Sequence, residues 1–183
     1  EALPPPDSGF CDPLAQFLRA GRANAFDDLV DESREAIVFN PYLEPSYWTT
    51  VQMGEDSCRY DTNGLGPAIN CDYFFPDDAP EAEDLYEKVI GLAQSCEPRE
   101  VEKADIDMET WLRYSEIDFT HKSTRKMAKE RYQPAKDASQ RSSTIHYSGN
   151  VDLHVNLGYR SICTSAVDCK YHYGTWLWFE HRT

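Results

Sequence analysis

Two cysteines, Cys163 and Cys169, lie inside a long alternation of apolar and polar residues near the C-terminus. An alternation of period two predicts β-strands, and the short segment between the cysteines predicts a hairpin that pairs them. If Cys163 lies opposite Cys169, the apolar residues of both strands fall on one side of the sheet without adjustment, which supports this register. The opposed pairs on that side are then Leu157 with Thr175, Val155 with Leu177, Leu153 with Phe179, and Tyr159 with Tyr173.

The stretch HYSGNVDLHVN predicts a further turn just before this hairpin. A two-residue turn would place His146 opposite Leu153, on the apolar side. A three-residue turn, SGN, places Ile145 opposite Leu153 instead and keeps one continuous apolar side. We therefore predict the three-residue turn, in which Gly149 or Asn150 supplies the left-handed backbone conformation.

The other side of these strands carries the candidate binding residues. Two tryptophans on a side that is not the main core are unusual, so either helices cover them or they form a surface patch. Because Trp and Arg are favoured anchors of protein interfaces, this side is the predicted binding surface. The opposed pairs on this side are His146 with Asp152, His154 with Trp178, Asn156 with Trp176, and Arg160 with His172. From these pairs we take as the predicted binding residues His146, Asp152, His154, Arg160, His172, Trp176 and Trp178.

Two other parts of the chain show helical periodicity. Residues 10–33 predict helix in two stretches, with Asp12 as a cap and Gly21 at the end of the first stretch. Residues 79–96 give the clearest helix, because apolar residues recur at spacings of three and four. Acidic residues crowd its first turns, as the helix dipole favours.

The remaining pattern predicts strands, which makes the fold class α+β: an antiparallel sheet packed with two or three helices and stapled by disulfides. The predicted strands cover residues 35–40, 46–53, both arms of a hairpin at 57–75, and a segment from 102 onward. A chain of 183 residues is expected to form a single domain, 1–183. Residues 1–9 are predicted to be an extended N-terminal segment, and residues 120–141 an exposed basic connection.

The six cysteines favour an oxidising compartment. Cys58 and Cys71 lie on opposite arms of the predicted hairpin, so a bond between them is plausible. With Cys163 and Cys169 also paired, Cys11 and Cys96 remain, and a bond between them would join the first helix to the helix at 79–96. The sequence leaves other pairings open, as it does six free thiols in a cytosolic protein. We expect an exported protein, either periplasmic or secreted.

The charge limits the class of partner. A formal net charge of −14 repels phosphate backbones, so nucleic acid is not an expected partner. The acidity is explained either by solubility or by attraction to a basic protein. The longest apolar runs, such as AIVF and WLWF, are too short to cross a bilayer, so no transmembrane segment is expected.

These observations favour an exported binding protein without catalytic activity over an enzyme. The candidate roles are an inhibitor, an immunity-type protein that neutralises a basic toxin, and a cell-envelope accessory protein. The predicted partner is another protein, and no catalytic residue, cofactor or metal is predicted. One alternative is a metal-dependent hydrolase, because His146, Asp152 and His154 offer two imidazoles and a carboxylate. The other alternative is a carrier of a small ligand in a cleft between the helices and the sheet.

Overall fold

The computed structural model describes residues 9–38, 42–53, 57–62, 66–76, 78–105, 140–163 and 169–182, with only the backbone described at 73–74, 160–163 and 169–171. Two α-helices and a seven-stranded antiparallel sheet form an α+β fold, as the sequence predicts. The helices are α1 (Cys11–Asn24) and α2 (Ala79–Cys96), and a short 3-10 turn covers Asp27–Leu29. The strands are β1 (Tyr47–Trp48), β2 (Cys58–Asp61), β3 (Ala68–Phe74), β4 (Val101–Asp105), β5 (Arg141–Tyr147), β6 (Val151–Cys163) and β7 (Cys169–His181).

The sheet order is β1-β2-β3-β7-β6-β5-β4, and both helices pack on the same side of it. The ring of Phe17 in α1 lies 5.0 Å from that of Phe179 in β7, and the hydroxyl of Tyr86 in α2 is hydrogen-bonded to that of Ser143 in β5. The buried apolar side chains form one cluster between the helices and this side of the sheet. None of the helices in the described part of the chain is long and apolar enough to cross a membrane.

The register predicted for the C-terminal strands is confirmed at every pair. Leu153 lies opposite Phe179, Val155 opposite Leu177, and Ile145 opposite Leu153. The turn before β6 has the predicted three residues. Its Gly149 (φ 74°) and Asn150 (φ 62°) are both left-handed, where one such residue was expected.

Two of the three predicted disulfides are present among the described side chains. Cys58 and Cys71 are bonded and lie directly opposite each other across β2 and β3. A second bond, Cys11–Cys96, joins the first residue of α1 to the last residue of α2. The backbones of the third pair face each other at the ends of β6 and β7. Their side chains lie outside the described part of the chain, so that disulfide stays a prediction.

The predicted start and end of the first helix are wrong. Asp12 lies in the first turn and not at the cap, which is Phe10 without a side-chain hydrogen bond. Gly21 lies inside α1 and not at its end. A Cβ on this residue would come within 2.6 Å of the Phe26 ring, so only a glycine fits there without a shift. The helix ends instead at the left-handed Ala25 (φ 53°). This glycine therefore reflects close packing and not a helix terminus.

The second helical stretch predicted within 10–33 is reduced to the 3-10 turn, although its apolar residues Phe26 and Leu29 are buried. The strand predicted at 35–40 is also wrong over the described residues. Only Ile37 pairs there, in an isolated bridge with Ser46, while Val38 is exposed. An apolar run without a neighbouring strand along its length has no ladder to join.

The strand predicted at 46–53 is short for a local reason. The Oε1 atom of Gln52 accepts hydrogen bonds from the backbone N–H groups of Ser57 (2.9 Å) and Cys58 (2.6 Å). A side chain therefore satisfies donors that a longer strand would have bonded to backbone. Pairing of residues 46–53 is limited to β1 and two isolated bridges, Thr49 with Val30 and Ser46 with Ile37.

Residues 120–139 of the predicted basic connection lie outside the described part of the chain. The predicted end of this connection, at residue 141, is wrong. Gln140 is buried, and Arg141 begins β5. A Cβ on Gly158 would lie only 1.9 Å from the Oε1 atom of Gln140. The absence of a side chain at Gly158 therefore makes room for the side chain of Gln140. The start of the strand predicted from 102 matches β4 (Val101–Asp105), and the rest of that predicted segment lies outside the described residues. Of the predicted extended segment 1–9, only Gly9 is described, and it lies in a turn before α1.

Candidate functional site

The sheet side opposite the helices brings most of the predicted binding residues together. We call it the tryptophan face, and its central members are Asp152, His154, Trp176, Trp178 and Glu180 of β6 and β7. His154 lies opposite Trp178, and Asp152 lies opposite Glu180. Because residues two apart along a strand share a side, the alternation that buries one set of side chains directs this set to the other side.

Hydrogen bonds hold His146 and His154 in defined positions. The Nδ1 atom of His146 lies 2.7 Å from Oδ1 of Asp152, and its Nε2 atom lies 3.2 Å from Oε2 of Glu102. The Nδ1 atom of His154 lies 3.0 Å from Oγ1 of Thr144, and its Nε2 atom lies 2.8 Å from Oε1 of Glu180. Each imidazole therefore bridges two strands through both of its ring nitrogens.

Asp152 is the most buried ionisable group of the face. Its side chain is only 3% exposed, yet its carboxylate has two partners, because Arg182 donates from Nε to Oδ2 at 2.9 Å and His146 contacts Oδ1. Such pairing offsets the cost of burying a polar group. The hydrogen bond to Asp152, followed by that to Glu102, raises the pKa of His146 above its usual value.

The two tryptophans are partly buried and not fully exposed. The ring of Trp176 stacks on Phe75, with centroids 6.1 Å apart and planes 18° from parallel. The ring of Trp178 packs at 5.2 Å against His154. Within the described part of the chain, the buried Nε1 atom of Trp178 has no hydrogen-bond partner. The tryptophans thus pack against neighbours on their own side of the sheet, and neither described helix covers them.

Strands β2 and β3 extend the face beyond what the sequence predicts. Asn70 lies opposite Trp178, and Asp72 lies opposite Trp176. Arg59 of β2 pairs with Asp72 at 3.2 Å, and it lies opposite Trp48 of β1. A local signal existed for the strand side. Cys58 and Cys71 are both buried and lie opposite each other, so the neighbours of Cys71 at 70 and 72 lie on the other side of the sheet. The pairing of β3 with β7 had no such signal, since no turn connects these strands.

Two predicted binding residues lie further along the same strands. Arg160 lies opposite His172 in the register, as predicted, and His172 is partly buried. The side chain of Arg160 lies outside the described residues, so its contribution to the site stays a prediction.

Three groups on the face converge closely enough to share a cation. One ligand atom from each of Asp152, His154 and Glu180 lies within 4.8 Å of the other two. The metal-binding alternative considered from the sequence used His146, Asp152 and His154. In the structure Glu180 replaces His146 in this group, because the two ring nitrogens of His146 face Asp152 and Glu102. Glu180 lies two residues beyond Trp178 on β7 and is not among the site residues that the sequence predicts.

Comparisons of the chain with protein-family models, with curated proteins and with solved structures found no match. The geometry of the tryptophan face is therefore the basis for a functional proposal.

Proposed function

We propose that this is an exported binding protein that recognises a basic partner protein through the tryptophan face. The observation that carries the proposal is the one-sided packing of the sheet. Both described helices lie on one side, while the other side presents partly exposed tryptophans among ordered polar groups. Aromatic anchors surrounded by polar groups are the usual composition of a protein interface.

The contacts around the tryptophans support binding. Trp176 is stacked on Phe75, and Trp178 is packed against a histidine whose two ring nitrogens both have partners. Side chains already held in one position lose little conformational entropy when a partner binds. A strand-based platform of this kind is also less mobile than a loop.

The charges of the face favour a basic partner. On and beside the face, described carboxylates outnumber described guanidinium groups: Asp61, Asp72, Glu102, Asp152 and Glu180 against Arg34, Arg59 and Arg182. The whole chain carries a formal net charge of −14, so its field would steer a basic protein toward it over longer distances. An inhibitor, an immunity-type protein and an envelope accessory protein all fit this description.

The proposed export is supported by the two disulfides, since such bonds form and persist in oxidising compartments. Between the helices and the sheet, the described side chains form a packed cluster, which favours a surface for a protein over a cleft for a small ligand. The second candidate, a metal-dependent activity, draws support from the convergence of Asp152, His154 and Glu180.

The experiment starts from the secreted and envelope proteins of the source cells, passed over immobilised wild-type protein. A retained protein that elutes with salt is identified, purified and titrated by surface plasmon resonance. We expect Trp176→Ala and Trp178→Ala each to weaken its binding by about 30-fold or more, the size of an interface hot spot. Binding should also weaken as NaCl rises from about 50 to about 300 mM, because screening shortens the reach of charge attraction.

Tyr42→Ala is the matched control, because Tyr42 is 92% exposed and lies on a loop outside the sheet. Circular dichroism and thermal unfolding verify that each variant is folded. If the partner binds both tryptophan variants as tightly as the wild type, the tryptophan face is not the binding surface. Loss of binding in Tyr42→Ala alone would place the surface on the loop instead.

A further inference from the structure

We propose that Asp152, His154 and Glu180 form a site for a single divalent transition-metal ion of the Zn²⁺ type. Asp152 and His154 lie two residues apart on β6 and therefore share a side of the sheet. Glu180 lies directly opposite Asp152 on β7, and one ligand atom from each of the three lies within 4.8 Å of the other two. The site stands independently of the proposed partner protein.

His154 is oriented as a metal-binding imidazole would be. Its Nδ1 atom is 3.0 Å from the hydroxyl of Thr144, and its Nε2 atom points at Glu180, 2.8 Å away. The Thr144 hydroxyl can either donate or accept, so it accommodates both neutral tautomers of the ring. In one tautomer Nε2–H donates to Glu180 and Nδ1 accepts from Thr144. In the other tautomer Nδ1–H donates to Thr144 and the lone pair of Nε2 faces Glu180, so a cation between them would take the place of the Nε2 proton.

The buried carboxylate is held in place by groups outside the trio. Asp152 contacts His146 through Oδ1 and Arg182 through Oδ2, and an oxygen that accepts one hydrogen bond keeps a second lone pair for a cation. A neutral outer partner, such as His146 in its unprotonated form, commonly fixes the orientation of a metal ligand. The Arg182 charge opposes the cation, however, so the site should bind more weakly than a structural zinc site.

The ligand atoms select the class of ion. One imidazole nitrogen with two carboxylate oxygens suits Zn²⁺, whereas Ca²⁺ and Mg²⁺ prefer oxygen ligands only. Three protein ligands leave the fourth tetrahedral position to a water molecule or to a group of another molecule. Glu180 is partly exposed, so the ion has a route from solvent.

The test is a calorimetric titration of the metal-stripped full chain with Zn²⁺ alone. The wild type should bind one ion per chain, with His154→Gln and Glu180→Gln each weakening the affinity at least about tenfold. His181→Gln is the matched control, because His181 lies on the same strand but pairs with Val151 on the opposite side of the sheet. This control should stay within about twofold of the wild type, since imidazoles outside the trio are not ligands.

Thermal unfolding provides a second readout and shows whether each variant is folded. Zn²⁺ should raise the Tm of the wild type and of His181→Gln but not that of His154→Gln, because a ligand that binds only the folded state stabilises it. The proposal is overturned if the wild type binds no Zn²⁺ up to about 1 mM, a concentration well above the dissociation constants of specific zinc sites. Equal Zn²⁺ affinity of His154→Gln, or equal binding of Ca²⁺, would overturn it as well.

Arg182→Gln tests the position of the ion by an effect of opposite sign. Removal of a positive charge beside Asp152 should tighten Zn²⁺ binding by about three- to tenfold, as expected for a partly solvated charge at short range. Unchanged or weaker binding would overturn the placement of the ion beside Asp152. Since no partner protein enters these titrations, their failure would leave the proposed protein interface standing, and the reverse also holds.

Discussion

Breaking one disulfide at a time tests how strongly each stabilises this fold. The Cys11–Cys96 bond closes a loop with a sequence separation of 85, whereas the Cys58–Cys71 bond closes one of 13. A disulfide lowers the entropy of the unfolded chain, and the effect grows with the logarithm of loop length. For these separations, loop-closure entropy gives about 4.6 kcal/mol for Cys11–Cys96 and about 2.9 kcal/mol for Cys58–Cys71 at room temperature.

The assay isolates one bond in each protein. One variant keeps Cys11 and Cys96, another keeps Cys58 and Cys71, and every other cysteine of both variants is replaced by alanine. The free energy of unfolding is measured in urea for the oxidised and the reduced form of each variant. The difference between the two forms reports the bond alone, because the rest of the sequence is identical.

The reasoning is refuted if the Cys58–Cys71 bond stabilises its variant as much as the Cys11–Cys96 bond stabilises the other. It is also refuted if the Cys11–Cys96 bond contributes less than about 2 kcal/mol, the lower end of typical disulfide stabilisation. Together the two bonds account for about 7.5 kcal/mol, against a total of about 5–15 kcal/mol for an ordinary folded protein. The reduced chain would therefore be marginally stable, which is why we connect the disulfides with export.

Two further predictions concern stability. The hydrogen bond to Asp152 raises the pKa of His146 in the folded state. The protonated imidazole should therefore stabilise the fold fully below its unfolded pKa of about 6.5, and this stabilisation should be lost as pH rises through the folded pKa. Urea unfolding between about pH 5.5 and 8.5 should show this decline in the wild type and a shallower one in His146→Gln, with a modest amplitude because the side chain is 38% exposed. Gly21→Ala should destabilise the protein by about 1–3 kcal/mol, because the added methyl group would lie 2.6 Å from the buried ring of Phe26. Gly91→Ala, in α2 with open space around it, should instead stabilise the protein by up to about 1 kcal/mol.

Each prediction has a result that would contradict it. Identical pH slopes for the wild type and His146→Gln would mean that the hydrogen bond to Asp152 does not stabilise the protonated imidazole in solution. Equal changes in Tm for the two alanine variants would mean that the crowding around Gly21 is relieved at no cost.

The C-terminal register was predictable because its constraints are local. The alternation of side chains and a single cysteine pair were enough to assign every opposed residue from Ile145 to Phe179. A shift of one residue would have moved the whole apolar set to the wrong side, so few registers were compatible with the pattern. The long helix α2 was equally clear, because its apolar spacing and acidic first turns agree.

Elements whose structure depends on distant contacts were predicted less well. Gly21 resembles a helix end in the sequence, but the position of Phe26 makes it a packing glycine inside α1. The apolar run at 35–40 has the composition of a strand, yet Ile37 finds only one partner residue. In both cases the local preference was weak, and the tertiary neighbours decided the outcome.

The sequence alone determined the α+β class, the C-terminal register and the side of the sheet on which His146, Asp152, His154 and the tryptophans lie. Only the tertiary structure decided that β3 pairs with β7, that both described helices lie on the opposite side, and that Glu180 approaches His154. The physical reason is the range of the interactions. Strand periodicity and turn length act between near neighbours in the chain, whereas the pairing of unconnected strands depends on how the whole core packs.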